Sequence, residues 1–374
     1  MSSMRLISVT VVLALASGVV FSAEQKAVVT LEIGAAAPDF NLPGVDGRDH
    51  RLADFAGVNV LVVVFTANHC PTAQAYEGRM MKLATDYKDK GVAVVAISPN
   101  DPLAVRLDEL GYTDLGDSFE EMKIRAAERR FNFPYLYDGQ TQAVSLAYGP
   151  VSTPHVFVFD RQRRLQYTGA IDNAEDPNKV KTHYVREAIE ALVQGSEVAT
   201  KKTKTFGCSI KWADKRKSVE KAFQDWAKEP VAVSPIDVNG IRDLMKNPSK
   251  KLRLVNVWAT WCGPCGVEVP DLVTLNRMYR NRAFEMVTIS GDTPSHKDDV
   301  LAFLKDRQVS CTNYLFASDD KAQLMDAVDQ AWQGAIPYTL IIKPGGEVIY
   351  RHSGTIDPLE VKKVIIGYLG RYFF

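Results

Sequence analysis

Two cysteines in this chain stand in the same surroundings, and this repeat constrains the fold more than any other feature. Cys70 and Cys262 each follow a short run of apolar, β-branched residues. A tyrosine, Tyr87 or Tyr279, stands 17 positions after each cysteine. Self-similarity over this length indicates an internal duplication. The chain is therefore expected to contain two related folding units.

Each block alternates segments of strand character with segments of helix character. The apolar runs, which include residues 60–65 and 252–258, are short and uninterrupted, as expected of strands buried on both faces of a sheet. Ser118 and Glu121 have the spacing of a capping box, which predicts a helix that begins there. A later helix is predicted from apolar residues at helical spacing: Ala322, Met325, Val328 and Trp332. The alternation predicts an α/β fold in each block, with a central mixed, mostly parallel sheet and helices on both faces.

The composition limits the functions that the chain can have. Its 374 residues are enough for two domains, and a hydrophobic content of 46% excludes a disordered chain and a protein with many membrane spans. Equal numbers of basic and acidic residues, 45 of each, argue against binding to nucleic acid. Five cysteines are too few to hold a small disulfide scaffold together, so individual thiols with separate roles are expected.

The N-terminus has the pattern of an export signal. Arg5 is followed by the uncharged residues 6–23, and Glu24 is the first acidic residue. A charged start, an apolar stretch and a small-residue exit predict a signal peptide over residues 1–23. The alternative is an uncleaved membrane anchor, although a spanning helix usually needs about 20 residues. In either case we expect an extracytoplasmic protein, periplasmic or secreted, with membrane contact only if this segment is uncleaved.

Two domains and a linker are expected after this signal. The first domain is predicted over residues 30–212 and the second over residues 236–374, with a basic helical linker, residues 213–235, between them. Residues 201–217 contain six lysines and one arginine against a single aspartate. A basic run in a chain without net charge is typical of a solvated surface, and we expect that role here rather than nucleic-acid binding.

The strongest chemical signal is the pair Cys262 and Cys265, which are separated by Gly263 and Pro264. Two intervening residues place both sulfurs in the first turn of one helix, where unpaired backbone N–H groups and the helix dipole stabilise a thiolate. We expect the outer residue, Cys262, to be the attacking nucleophile and Cys265 to resolve the mixed disulfide. The alternatives are half of a zinc site or a stabilising disulfide. A zinc site needs further ligands at fixed spacing, which the sequence lacks, so no metal and no cofactor is expected.

With Trp261 in front of this pair, residues 230–374 resemble the thioredoxin superfamily, and most of all its extracytoplasmic TlpA/ResA-like thiol–disulfide reductases. The resemblance implies a thioredoxin-like fold. It also implies that Pro337 lies in a cis-proline loop across from the cysteines and that Glu268 is a proton acceptor. Asn256 stands where cytoplasmic thioredoxins carry a buried Asp, a difference that fits the extracytoplasmic group. The alternative for Glu268 is an ordinary solvated side chain.

The first block carries a second resemblance. It rests on three segments: residues 34–42, 65–71 and 206–212. They are similar to a peroxiredoxin-like group of redoxin domains with an Asn-His-Cys-Pro active site, over about residues 34–212, and imply a second thioredoxin-like fold in tandem with the other. Ala67 stands three residues before Cys70, where peroxiredoxins carry the threonine of the peroxide-binding frame, and Ala73 replaces a second cysteine. The first departure argues against peroxidase activity.

Two histidines and two further cysteines have roles that the sequence leaves open. His69 and His155 are expected near the Cys70 thiol, where an imidazolium would lower its pKa; the alternative is that both only pack locally. Cys208 is the expected redox partner of Cys70, with independent thiols as the alternative. Cys311 begins an apolar run without a polar partner in the sequence, and an inert buried thiol is expected there.

Together these signals predict a thiol–disulfide oxidoreductase. It would reduce or exchange protein disulfides through Cys262 and Cys265, with a redox-linked first domain that carries Cys70 and Cys208. The alternatives are a thiol peroxidase that uses the second domain as its reductant, and a first domain that only binds clients. The expected partners are client proteins with disulfides and a membrane or extracytoplasmic thiol electron donor. A relay within one chain, from Cys262 to a Cys70–Cys208 bridge, is a further hypothesis.

Overall fold

The computed structural model of the protein describes residues 28–372. The predicted signal peptide, residues 1–23, lies outside the described residues. Across 28–372, no helix has both the length and the apolar character that crossing a membrane requires. The described chain forms two α/β units, each around its own sheet, which we refer to as the first and second domains.

The first domain contains a two-stranded hairpin and a five-stranded sheet. Its strands are β1 (Asn41–Pro43), β2 (Asp49–Arg51), β3 (Val60–Phe65), β4 (Val92–Ser98), β5 (Tyr135–Tyr137), β6 (His155–Phe159) and β7 (Leu165–Gly169). The hairpin is β1-β2, and the large sheet has the order β5-β4-β3-β6-β7. β3, β4 and β5 are parallel, while β6 is antiparallel to both β3 and β7. The sheet is mixed as expected, although parallel pairings do not predominate in it.

The second domain contains a six-stranded sheet. Its strands are β8 (Ser234–Ile236), β9 (Leu252–Trp258), β10 (Phe284–Ser290), β11 (Thr312–Phe316), β12 (Tyr338–Ile342) and β13 (Val348–Ser353). The order is β13-β12-β9-β10-β11-β8, and the four strands from β9 to β8 are parallel. Every residue of the central strands β3 and β9 is buried, which explains why β3 is wholly apolar and why β9 is apolar apart from Arg253 and Asn256.

Helices cover both faces of each sheet. They are α1 (Pro71–Tyr87), α2 (Phe119–Arg129), α3 (Ala143–Tyr148), α4 (Tyr184–Val193), α5 (Arg216–Trp226), α6 (Val238–Met245), α7 (Gly263–Tyr279), α8 (Lys297–Asp306), α9 (Lys321–Val328) and α10 (Pro358–Leu369). In the first domain α1, α2 and α4 share one hydrophobic core with the sheet, and α3 packs on the other face. In the second domain α7, α8 and α10 lie on one face, and α6 and α9 on the other.

The two cysteine helices confirm the duplication. α1 and α7 both contain 17 residues and end at equivalent tyrosines. Cys70 and Cys262 are their N-cap residues, and each helix has a proline in its first turn. A proline there loses no hydrogen bond because the first N–H groups of a helix have no partner within it. In both domains the helix therefore begins at the cysteine, a few residues after the preceding strand ends.

The helix predicted to reach Trp332 ends earlier. α9 stops at Val328, and Asp329 is already extended. Trp332 follows in a turn but is still buried, because its ring stacks on Tyr338 and its Nε1 donates to the Ala335 carbonyl. The apolar spacing continues past the end of the helix because the turn packs on the same core.

The segment between the domains is less exposed than its basic composition suggests. Lys211 is buried and forms an ion pair with Glu109, so the prediction of a wholly solvated basic run is wrong at this residue. α5 lies within the predicted linker, and Trp226 at its end is buried with the Arg277 guanidinium over its ring. β8 begins at Ser234, also inside the predicted linker, and pairs with β11.

The first domain contacts the second through residues 107–114, in the loop that follows β4. Leu107 and Leu110 pack against the core of the second domain. Arg371 pairs with both carboxylate oxygens of Asp114 at 2.6 Å, and the Asp114 side chain is almost fully buried. A buried ion pair of this geometry ties the end of the second domain to the first.

Removing this cation should destabilise the protein. We expect Arg371→Met to lower the free energy of unfolding by about 3 kcal/mol, because it leaves the Asp114 charge buried and unpaired. Lys363→Met is the matched control, since the Lys363–Glu128 pair also joins the domains but is partly exposed, and it should cost under about 1 kcal/mol. Urea unfolding measures both; equal losses would contradict the assignment.

Candidate active sites

The first site is the start of α7. Cys262 and Cys265 form a disulfide with an S–S distance of 2.05 Å, and the Cys265 backbone N–H donates to the Cys262 sulfur at 3.2 Å. Cys262 is 6% exposed and Cys265 is 1% exposed, so Cys262 is the outer sulfur as predicted. It lies 3.7 Å from the Ile336 carbonyl oxygen, and the peptide bond between Ile336 and Pro337 is cis. The cis-proline loop therefore lies beside the cysteines.

Glu268 lies below this pair in the interior of the domain. It is 1% exposed, so the alternative of an ordinary solvated side chain is wrong. Its carboxylate accepts hydrogen bonds from Asn256 Nδ2 and from the Ile356 backbone N–H, both at 2.8 Å. Burial raises the pKa of Glu268 above its usual range, although these two hydrogen bonds act in the opposite direction. The site thus contains a buried carboxyl group that holds a proton more readily than a surface glutamate.

The surface around Cys262 is apolar and open. Trp261 and Val267 are each 71% exposed, and Ala335 is exposed at the edge of the cis-proline loop. Below this surface the Thr260 hydroxyl and backbone N–H both donate to Asp292, which fixes the turn before the cysteines. Exposed apolar residues beside a reactive sulfur suit contact with another protein.

The second site is the start of α1. Cys70 is completely buried, and its sulfur lies 3.1 Å from the Thr153 carbonyl oxygen, next to the cis bond between Thr153 and Pro154. The backbone N–H groups of Ala73 and Cys208 both donate to this sulfur at 3.4 Å. The structure therefore brings Cys70 and Cys208 together, as free thiols.

Cys70 is the acidic thiol of this second pair. Burial acts to raise the pKa of Cys70, but a hydrogen bond from the Cys208 thiol and the charge of His69 outweigh burial and lower it to about 6. The pKa of Cys208 is raised, because its proton is held by the Cys70 sulfur and because it is partly buried. The surroundings of the pair therefore favour the thiolate at Cys70 and the thiol at Cys208.

Asp117 is the buried partner of His69. The His69 Nδ1 lies 2.5 Å from an Asp117 carboxylate oxygen, and the same oxygen accepts a hydrogen bond from Asn100 Nδ2 at 2.7 Å. Burial acts to lower the pKa of His69, but the charge and hydrogen bond of Asp117 raise it. The sequence did not predict Asp117 or Asn100; the only local signal was that Asp117 precedes the capping residue Ser118.

His155 has the alternative role given in the sequence analysis, that of a histidine that only packs locally. Its Nε2 lies 2.9 Å from the Thr168 hydroxyl, and its Nδ1 accepts from the Val151 backbone N–H. Burial lowers the pKa of His155 to about 4, so this ring is neutral at physiological pH. His155 therefore packs and bonds locally, whereas His69 supplies the positive charge near the thiol.

Residues 206–211, which we call the strap, hold Cys208 over the second site. The Thr153 backbone N–H donates to the Cys208 carbonyl at 2.9 Å, so the strap pairs with the residue before cis-Pro154. At its end the Lys211 backbone N–H donates to Asn100 Oδ1 at 2.9 Å. Asn100 thus connects the strap to the Asp117 carboxylate described above.

Cys311 lies apart from both sites. It precedes β11 and is partly buried, and its sulfur lies 3.3 Å from Asn313 Oδ1, a polar contact that the sequence did not indicate. Burial raises the pKa of Cys311 to about 12, which keeps it protonated and unreactive. Within residues 28–372, no group of three His, Cys, Asp or Glu side chains could hold a metal ion.

Comparisons with known proteins match part of each domain to a family model. The AhpC/TSA family matches residues 33–168, and the Redoxin family matches residues 242–365. This chain is a thioredoxin-superfamily protein with two tandem domains. Thiol-disulfide oxidoreductase ResA of Bacillus subtilis is 29% identical over 32% of the chain, and thiol:disulfide interchange protein HelX of Rhodobacter capsulatus is 28% identical over 31%. The match spans 63% of the length of that ResA and 59% of HelX, less than two thirds of either.

Two solved structures are also similar to parts of this superfamily member. A hypothetical protein from Sinorhizobium meliloti 1021 is 35% identical, with a TM-score of 0.44, and the match covers 50% of this chain and 97% of that one. A putative thiol:disulfide interchange protein DsbE from Chlorobium tepidum is 24% identical, with a TM-score of 0.32, and the match covers 44% and 98%.

The charge relation between His69 and Cys70 can be tested through Asp117. We expect Asp117→Asn to raise the pKa of Cys70 from about 6 toward about 8.5, the value of an ordinary thiol, because His69 loses the charge that keeps it protonated. The ultraviolet absorbance of the thiolate, followed against pH, measures this in a background where Cys262 and Cys265 are serine.

The matched control is Asp101→Asn. Asp101 is also buried in the first domain, but it pairs with Arg216 and has no contact with His69. The control should leave the Cys70 titration where it is. A Cys70 midpoint that is the same in all three proteins would show that Asp117 does not set the charge at this site.

Proposed function

We propose that the protein is an extracytoplasmic thiol–disulfide oxidoreductase that reduces or exchanges protein disulfides through Cys262 and Cys265. The observation that carries this proposal is the outer sulfur of Cys262, at a helix start and beside both cis-Pro337 and an open apolar surface. The curated relatives named as thiol-disulfide oxidoreductases support it. The predicted signal over residues 1–23 supports export.

The reaction follows from the positions of the two sulfurs. In the reduced protein the Cys262 thiolate, stabilised by the Cys265 N–H, attacks one sulfur of a client disulfide, and the other client sulfur leaves as a thiolate. Cys265 then loses its proton and attacks the Cys262 sulfur. The Cys262–Cys265 disulfide forms, and the client leaves with both of its sulfurs reduced.

Glu268 is proposed as the acceptor of the Cys265 proton. The carboxyl group lies on the same helix as Cys265, three residues later, and residues at this spacing share a face. Its raised pKa makes the carboxylate a better proton acceptor than a surface glutamate. Asn256 holds the carboxylate in place through the 2.8 Å hydrogen bond.

In the first domain we propose a second redox couple, Cys70 and Cys208. The alternative of a client-binding module is disfavoured, because the strap already pairs with Thr153 at the edge that a client would use. The peroxidase alternative is disfavoured because Ala67 interrupts the peroxide-binding frame and Cys70 is fully buried. The proposed partners are client proteins with disulfides and an extracytoplasmic thiol donor.

Reduction of insulin disulfides tests the proposed reaction. Cys262→Ser should abolish it, because no nucleophile remains, whereas Cys265→Ser should accumulate mixed disulfides through Cys262. Cys311→Ser, which removes a thiol away from both sites, should retain the original rate. Turnover by the Cys262→Ser protein at the original rate would refute the proposal.

Glu268→Gln should slow the exchange reaction and shift its pH–rate profile, because the proton of Cys265 loses its acceptor. We expect a loss of about 10²-fold or more, the usual scale for a general base. Glu347→Gln is the control, since Glu347 is an exposed glutamate of the same domain that pairs with Lys343. If the profiles of Glu268→Gln and the original protein coincide, Glu268 has only a structural role.

A further inference from the structure

The contact between the domains lies at the far end of the catalytic helix. Cys262 caps the start of α7, and Tyr279 ends it, where the Tyr279 hydroxyl donates to the Thr113 carbonyl of the first domain at 2.8 Å. A helix of 17 residues is about 25 Å long. The first domain is therefore docked about 25 Å from the Cys262 sulfur, measured along the helix.

The loop that makes this contact also builds the second redox site. The Thr113 hydroxyl donates to the Asn68 carbonyl at 3.4 Å, next to His69 and Cys70, and Asp117 a few residues later holds the His69 ring. The Cys70 site thus lies close to the C-terminal end of α7, away from Cys262. The hypothesis of a relay within one chain does not fit this arrangement.

If the domain contact opened to allow such a relay, the Cys70–Cys208 site would itself be disturbed. The same loop carries Leu110 in the core of the second domain and Asp114 in the buried pair with Arg371. Pulling it away would expose these groups and would also move Asp117, on which the His69 charge depends. A rotation of one domain away from the other would therefore disturb the Cys70–Cys208 site, which accepts the electrons in the relay hypothesis.

We propose that electrons pass between two copies of this chain, from the Cys262–Cys265 dithiol of one copy to a Cys70–Cys208 disulfide of the other. The inference rests on the proposed function of the dithiol. The partner is a second copy of this chain, and the sulfur that is attacked is that of Cys208.

Cys208 is the accessible sulfur of its pair. It is partly exposed, between the exposed residues Gly207 and Ser209, while Cys70 is fully buried. Cys70 is also the better leaving group, because its thiolate accepts the N–H groups of Ala73 and Cys208 and has the lower pKa. Exchange is faster when the sulfur that leaves has the lower pKa.

The proposed step balances in atoms and electrons. The Cys262 thiolate of one copy bonds to the Cys208 sulfur of the other, the Cys70–Cys208 bond breaks, and Cys70 leaves as a thiolate. Cys265 of the first copy then attacks Cys262 and gives up its proton, which ends on the released Cys208. The first copy is oxidised to its disulfide, and the second is reduced by two electrons.

Opposite charges surround the two sulfurs. Asp298 and Asp299 lie in the first turn of α8, and Asp319 and Asp320 follow β11; all four are exposed. Because β9, β10 and β11 are parallel, these segments begin at the same edge of the sheet as Cys262. With the exposed Lys297 and Lys321 among them, these four carboxylates give a net negative charge to the edge of the sheet, next to the apolar surface that immediately surrounds the donor sulfur.

The surface around the acceptor sulfur is basic. Lys204 and Lys217 are exposed on either side of the strap, and the Lys215 ammonium donates to Ser209 Oγ at 3.0 Å, one residue from Cys208. Complementary charges speed the encounter of two proteins and make its rate depend on salt. This complementarity favours a second copy over an uncharged partner.

The test uses the Cys265→Ser/Cys311→Ser protein, in which exchange stops at the mixed disulfide. The reduced protein receives a stoichiometric amount of oxidised glutathione, a small disulfide that can form the Cys70–Cys208 bridge. We expect covalent dimers joined through Cys262 and Cys208, identified by mass mapping after free thiols are blocked. Tenfold dilution should lower the initial rate of linkage per chain about tenfold, as for any reaction between two molecules.

Three results would overturn the inference. They are a Cys262–Cys208 link within a monomer, a link through Cys70 instead, and no link at all while the same protein still traps insulin in a mixed disulfide. Failure to trap insulin would instead refute the proposed function itself. Should this variant not fold, reduced Cys70→Ser/Cys208→Ser protein can be mixed with oxidised Cys262→Ser/Cys265→Ser protein, and reduction of the bridge must then follow the donor concentration.

Two variants test whether these charges contribute to the encounter. Asp298→Asn/Asp299→Asn should slow the linkage and weaken its dependence on salt. Asp306→Asn removes one carboxylate at the opposite end of α8, where the side chain pairs with Arg307, and it should leave the rate unchanged. Equal rates in both variants would remove charge as a reason to choose a second copy and would count against the proposal.

Discussion

Both thiol centres depend on one backbone contact, the N–H group that points at the sulfur of an N-cap cysteine. It runs from Ala73 to Cys70 at 3.4 Å and from Cys265 to Cys262 at 3.2 Å. An N–H in the first turn of a helix has no carbonyl partner within that helix, so the sulfur satisfies it, and a thiolate satisfies it better than a thiol. The contact that begins each helix therefore also prepares its nucleophile.

The two domains have diverged below this shared contact. The second domain has Asn256 six residues before its cysteine and Glu268 six residues after it, a polar pair that can hold a proton. The same positions in the first domain are Val64 and Tyr76, and the Tyr76 hydroxyl donates to Asp172. The first domain lacks this Asn–Glu pair at the equivalent positions and instead places the His69–Asp117 pair beside its sulfur. The centre of the second domain suits repeated proton exchange, and that of the first domain favours a thiolate.

The sequence predicted the parts of each site that local signals determine. The strands before the cysteines, the helix starts and the position of Pro337 follow from apolar runs and from the family pattern. Trp332 shows the limit of periodicity, because a turn that packs on the core has the same spacing as a helix. Asp117 could not be predicted as the partner of His69, since the two are 48 residues apart and a single sequence does not show which distant acid is buried. No sequence motif indicates that residues 107–114 of the first domain contact the second.

Gly207 gives the strap a property that the hydrogen bonds alone do not explain. Its φ is +141°, and a Cβ atom there would lie 2.0 Å from the Thr153 carbonyl oxygen, so no other residue can occupy the position without displacing the backbone. The strap can therefore lie this close to Thr153, over Cys70, only because Gly207 has no side chain. A related sequence with a larger residue at this position must carry the segment elsewhere, and its first domain would then offer an empty groove to an extended peptide. The residue at this position would therefore distinguish relatives in which the strap covers Cys70 from relatives in which Cys70 is open to another protein.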